Sequence, residues 1–268
     1  MTTFRLQIPP DDKILLSVAP QVHNPDPYAQ TVALAIRVRR GDRVLDMGCG
    51  AGGYGLAAAA RGAGQVILTD VDPAAVACAL QNAARNGISQ VDGRIGSLFA
   101  PVRGERFDII ITTLPQLPAP GPIVAARYGG PDGLRYLRRL ADRASNHLTP
   151  AGRLYMLITD WAWPPRVAPL FRRRGFTFRR VARVERAFQP AEYDAFAPGL
   201  FAYLDGRAQR GLAQYRRNGT WCYLGVSFFE ATLASSREAL IKDQVAFATK
   251  KSAEVRHVGM NTWCIESH

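Results

Sequence analysis

VLDMGCGAGGYGLAAAA, residues 44–60, decides how this chain is read. Its first residues form a short apolar run of the kind that makes a buried parallel strand, and the alanine-rich stretch from about 51 to 61 reads as a helix. Between them stand glycines at 48, 50, 52 and 53. Glycines directly after a strand let the backbone turn tightly and approach a ligand closely. No GK[ST] follows, so the turn is not a phosphate-binding P-loop. It departs from the dinucleotide fingerprint as well, because an acid, Asp46, precedes the first glycine, Gly48, by two residues. The next strand, QVILTD, ends in Asp70. An acid at that strand end accepts hydrogen bonds from both ribose hydroxyls of an adenosine-type ligand.

Outward from this turn the chain alternates strands and helices. QVILTD, FDIIITT and RLYMLITD are further buried strands, and VDGRIGS is a weaker one. DPAAVACALQNAARNG has Pro in its first turn and Gly at its end, the punctuation of a helix. GLRYLRRLADRASNHL reads as an amphipathic helix with an arginine-rich outer face. PPRVAPLFRRRGF reads as a shorter helix, and TFRRVARVERAF and WCYLGVSFFEATL as the last two strands. Residues 1–40 form an N-terminal segment whose helix, PDPYAQTVALAIRVRR, is expected over the ligand pocket. Residues 41–233 form the main domain, and 234–268 a C-terminal extension with a helix near 238–251. The insertion 189–220 is long for a loop without structure of its own. It carries Tyr193, Phe196, Phe201 and Tyr203, and is expected either to line a substrate site or to pack as a lid or dimer contact.

VLDMGCGAG resembles motif I of the class I S-adenosylmethionine (SAM) methyltransferases, and TDVDP resembles the acidic end of their second strand. The resemblance implies an α/β fold: a Rossmann-like seven-stranded sheet with helices on both faces and an insertion between the last two strands. It implies SAM as cofactor, with the turn Gly48, Gly50, Gly52 under the methionine part. Asp46 would anchor the turn or the amino group, and Asp70 the ribose. FDIIITTLPQLP and YGGPDGLRYLRRL resemble the protein glutamine N-methyltransferases, which carry Asn-Pro-Pro-Tyr at the strand end. Here Thr113, Leu114, Pro115 and Gln116 take those places. Thr113 has one hydroxyl and lacks the paired donor and acceptor of an amide. Ser97, followed by Leu98, stands where that group often has an Asp facing the adenine.

The chain has 268 residues, 47% of them apolar, enough for one sizeable core. It has no run long enough to span a membrane and no secretory signal pattern. Its four cysteines show no metal-ligand spacing. These counts are those of a cytoplasmic protein with no metal. With 34 basic and 22 acidic residues the net charge is +12, which raises nucleic acid as a partner. Only four of the basic residues are Lys, so the bias of a GC-rich genome explains much of the excess.

Methyl transfer from a sulfonium depends chiefly on holding donor and nucleophile close and aligned. The residues expected to do so are Thr113 and Gln116, with His23 as a base. Tyr28, Leu114, Pro115, Gln116 and Tyr193 are expected at the substrate, while Thr113, Ser97 and Leu98 also touch the cofactor. The leading expectation is a methyltransferase acting on a small polar molecule, amino-acid-like or heterocyclic. The alternatives are an RNA- or protein-directed N-methyltransferase, an enzyme that cyclises SAM to release methylthioadenosine, and a non-catalytic scaffold. A homodimer remains open.

Overall fold

The computed structural model describes residues 1–9, 12–26, 28–162, 164–194 and 196–234. Two strands, β1 (Thr2–Ile8) and β2 (Asp12–Val18), open the chain as an antiparallel hairpin. The short helix α1 (Ala29–Ala35) follows. The chain then runs β3 (Arg43–Met47), α2 (Gly53–Ala60), β4 (Gln65–Asp70), α3 (Pro73–Arg85), β5 (Val91–Ile95) and β6 (Phe107–Thr112). It continues through α4 (Arg135–Arg143), β7 (Leu148–Thr159), α5 (Pro164–Arg172) and β8 (Phe176–Phe188). The insertion contributes α6 (Ala191–Asp194), α7 (Leu200–Gln209) and β9 (Arg216–Asn218), and β10 (Trp221–Leu233) closes the described chain.

The expected sheet is present, in the order β5-β4-β3-β6-β7-β10-β8, with β9 added alongside β10. Neighbours from β5 to β7 are parallel, and β10 is antiparallel to both β7 and β8. Alternation along the strands splits the core in two. Val44, Leu68, Ile109 and Tyr155 face α1, α2 and the hairpin, while Leu45, Ile67, Ile110 and Met156 face α4 and α5. Both faces are thus covered, as parallel sheets require. The chain leaves β3 first toward β4 and β5, then toward β6 and β7. The strand order reverses between β3 and β6, the place where open α/β sheets leave a crevice beyond their carboxyl ends.

The N-terminal segment departs from expectation. The helix foreseen over 25–40 shrinks to Ala29–Ala35, because Ile36 turns to extended backbone and Arg37 is drawn off to Glu230 at 2.8 Å. The hairpin before it was not anticipated. Leu6, Ile8, Ile14, Leu16 and Val18 bury its inner face. Side-chain amides dock its outer edges. Asn82 on α3 and Asn86, which caps its C-terminal end, each accept the N–H and donate to the carbonyl of one β2 residue. The pairs are Asn86 with Leu15 (2.9 and 2.8 Å) and Asn82 with Ser17 (2.9 and 3.2 Å). Gln30 does the same to Gln7 on β1, at 2.8 Å in both directions. The helix expected near 238–251 lies outside the described residues. Among the described residues no helix is long and apolar enough to cross a membrane.

Candidate functional site

The crevice between β3 and β6 is a cavity of about 460 Å³. Its floor is the glycine turn. Gly50 has φ +51°, a left-handed conformation, and a Cβ there would find only the His23 carbonyl oxygen, 4.0 Å away. The space above the turn is therefore free for a ligand, and the backbone shape demands glycine. A few residues on, Gly55 meets a different constraint. A Cβ there would lie 2.4 Å from Leu68 Cδ2 and 3.1 Å from Asp46, so α2 can press onto β3 and β4 only without a side chain.

Asp46 sits beneath this contact and not in the cavity lining. Its Oδ2 accepts the Gly55 amide at 2.8 Å, which ties the first turn of α2 to the end of β3. Burial pushes its carboxyl up to about 7, against the Gly55 N–H, and the nearby Asp70 adds to the rise. Gly52 is likewise outside the lining. It is the left-handed cap of α2, packed on Ala79. Gly48, Gly50 and Asp70 do face the cavity. Asp70 Oδ2 accepts the Gly50 amide at 3.0 Å and its Oδ1 the Asp72 amide at 3.1 Å. An ionised carboxylate has about four lone-pair sites, so two hydroxyl donors can still be accepted. The cavity, the bare glycine floor and an acid with spare acceptor capacity fit the ribose and amino-acid ends of SAM.

Ser97 and Leu98 line the same cavity beyond Asp70. Leu98 has φ +51°, the one non-glycine residue with positive φ among those described. Such backbone costs about 1–3 kcal/mol and clusters at ligand sites. Thr113, Leu114 and Pro115, at the end of β6, form the opposite wall, and His23 closes the mouth. Burial lowers the His23 imidazole's pKa, and Arg127 and Arg186 lower it further against the pull of Asp26.

Three further expected site residues also lie outside the lining. Gln116 is 5% exposed and its amide is spent on β7. Its Nε2 donates to the Leu157 carbonyl at 2.5 Å and its Oε1 accepts the Thr159 amide at 3.1 Å. The side chain is a brace that holds the loop after β6 to the end of β7, and it presents nothing to the cavity. Tyr28 is buried in the core beside α1. Tyr193 is 2% exposed, wedged edge-on between Trp161, Phe188 and Phe201. Its hydroxyl accepts from Arg186 at 2.8 Å. The insertion therefore packs its own aromatics at this point.

Other lining residues escaped the sequence reading. Leu6 and Leu16 reach in from the hairpin, Tyr54 from α2, Tyr136 from α4, and Val124, Ala125 and Ala126 from an exposed rim. The alternation in FRLQI and KILLSV was the available signal for the first two.

A family model described as "Methyltransferase small domain" matches residues 23–167, more than half of the chain. A release factor glutamine methyltransferase of Xylella fastidiosa is 37% identical over 132 residues, 45% of this chain and 47% of that protein. A ribosomal protein L11 methyltransferase of Symbiobacterium thermophilum is 40% identical over 89 residues, 31% of this chain and 29% of that protein. The chain thus spans about half or less of the length of these relatives. Among solved structures, the Thermus thermophilus 16S rRNA N2 G1207 methyltransferase, in complex with AdoMet and guanosine, superposes with TM-score 0.53 at 18% identity. That match covers 84% of this chain and 50% of that one. These relatives correct the expectation of a small-molecule substrate, since the curated ones are named for protein substrates. The cofactor expectation, SAM, stands. The chain belongs to the methyltransferase small domain family.

Proposed function

We propose that the protein transfers the methyl group of SAM to an amine nitrogen of a protein substrate. The observation that carries this reading is the shape of the cavity. It runs from Asp70 and the glycine turn past Thr113–Pro115 and opens at the rim of Val124, Ala125 and Ala126. Val124, Ala125 and Ala126 are exposed, so one side of the rim is apolar, and exposed Gln21, His23 and Asn24 also line the cavity. That form suits a group projecting inward from a larger molecule, and the protein-directed relatives support it.

SAM supplies a methyl group already activated by its sulfonium. Asp70, the Gly48–Gly50 backbone, Ser97 and Leu98 hold it in the proposed site. Thr113 offers one hydroxyl beside the acceptor, which suffices to accept one N–H but not to grip a planar amide at both ends. An amine therefore fits better than a glutamine side chain. Arg127 and Arg186 favour the neutral forms of both His23 and an amine at this mouth. His23, which lines the cavity and is open to solvent, is the group placed to take up the proton that the nitrogen sheds.

The test is to incubate the full chain with methyl-labelled SAM and size-fractionated cell protein, and to locate label by peptide mass spectrometry. Label on a lysine or terminal amine, with S-adenosylhomocysteine formed in proportion, is the expected result. Label confined to glutamine or to RNA, or methylthioadenosine released from SAM alone, overturns the reading.

A further inference from the structure

The outer face of α4 and α5 is charged out of proportion to the rest of the fold. From Arg135 to Arg174 these helices and the turn after α5 carry eight exposed or half-exposed arginines, against Asp142 on α4 and Asp132 just before it. Both acids are already used. Asp132 pairs with Arg138 and with Arg166 (3.5 Å), and Asp142 pairs with Arg174. The two helices are thereby pinned side by side, their N-terminal ends together at Asp132 and their C-terminal ends together at Asp142.

Five exposed arginines on this face, Arg135, Arg139, Arg143, Arg172 and Arg173, have no carboxylate partner among the described residues. The first three stand four residues apart, so they form one stripe along α4 with about 6 Å of rise between members. Like charges at that spacing destabilise a helix by about 0.2–0.5 kcal/mol per pair. Core packing gives no reason for Arg139 and Arg143, because Leu137, Leu140 and Ala141 bury the opposite side of α4. The stripe also has a direction. Arg135 lies over the Tyr128 ring at 4.7 Å, and its neighbour Tyr136 lines the cavity. The row of guanidiniums therefore starts one residue from a side chain that lines the cavity.

We infer that the α4–α5 face is a docking surface for the phosphate backbone of RNA, which holds the substrate's surroundings while the cavity takes the acceptor. Guanidiniums suit phosphate oxygens through paired N–H donors, and a regular row of them matches a polyanion better than any single acidic group. The net charge of +12 draws such a partner from a distance. The inference does not depend on which atom is methylated.

The experiment measures fluorescence anisotropy of a labelled single-stranded RNA of mixed sequence, titrated with the full chain between about 50 and 200 mM salt. The variant is the triple substitution Arg135→Gln, Arg139→Gln, Arg143→Gln. We expect it to bind RNA on the order of tenfold or more weakly, with a log–log salt slope shallower by about 2. Its calorimetric SAM affinity should be unchanged and its Tm close to that of the wild type, since the relieved repulsion offsets the lost Arg135–Tyr128 contact. Wild-type affinity and slope in a folded variant, no RNA binding by the wild type, or binding to anionic lipid vesicles but not to RNA, each overturns the inference.

Discussion

Asp70 and Gly50 join the two halves of the cofactor motif: the carboxylate at the end of β4 accepts the amide of the turn after β3 at 3.0 Å. The acid therefore shapes the glycine turn as well as facing the ligand. Replacing Asp70 by Ala should cut SAM affinity on the order of 30- to 1000-fold, the loss of about 2–4 kcal/mol expected for hydrogen bonds to a charged group. Asp70→Asn, which keeps one acceptor for Gly50, should fall between. Calorimetry with equal affinities for all three proteins would remove Asp70 from the site.

Gln116 has a structural consequence to display. Gln116→Ala leaves the Leu157 carbonyl and the Thr159 amide without the partners seen here. Each buried group left unpaired costs about 1–3 kcal/mol. Urea denaturation should show a loss of about 2–4 kcal/mol. A fully stable variant with abolished turnover would return Gln116 to a catalytic role.

Asp46 makes stability depend on pH in an unusual direction. Its carboxyl ionises near 7 in the folded chain and near 4 when unfolded. Between those values the folded chain holds a proton that the unfolded chain has released. Stability from this group therefore declines as pH rises from about 4 to 7, by up to about 4 kcal/mol. Asp46→Asn keeps an acceptor for Gly55 and should flatten that slope. Denaturation at a series of pH values compares the two proteins, and parallel curves would count against the assignment.

Glu230 behaves in the opposite sense. Burial raises its pKa, but the Tyr155 hydroxyl and the Arg37 guanidinium outweigh that and hold its carboxyl below the usual range. Its stabilisation is present above the ordinary carboxylate range and is lost as pH falls through its lower, folded value. Glu230→Ala strands Arg37, whose side chain is only 16% exposed. The expected loss is about 3–5 kcal/mol, read as a fall in urea midpoint.

The cofactor end of the site was legible because its signals are local. Gly48, Gly50 and Asp70 are set by a strand end and a turn, and those patterns lie within a few residues of each other. The parallel sheet followed from runs such as FDIIITT. Gln116 was misplaced because its partners, Leu157 and Thr159, are some forty residues away, and nothing nearby shows that its amide is already taken. Tyr193 looked available for the same reason. Its burial depends on Trp161 and Phe201 from other elements. The hairpin failed on scale: two seven-residue strands without a glycine turn leave a faint pattern, and the amides that dock it come from α1 and α3.

Those docking amides bear on how the chain behaves in a crowded solution. A two-stranded sheet has no interior strand, so each of its strands is an edge that can template pairing with another molecule. Here Gln30 closes one edge at Gln7, and Asn82 and Asn86 close the other at Ser17 and Leu15. Covering the edges with helix side chains leaves no open ladder at those positions for a second chain to extend. Asn82→Ala with Asn86→Ala would reopen β2. The protein would then gain a route to self-association even if its cofactor pocket kept its shape.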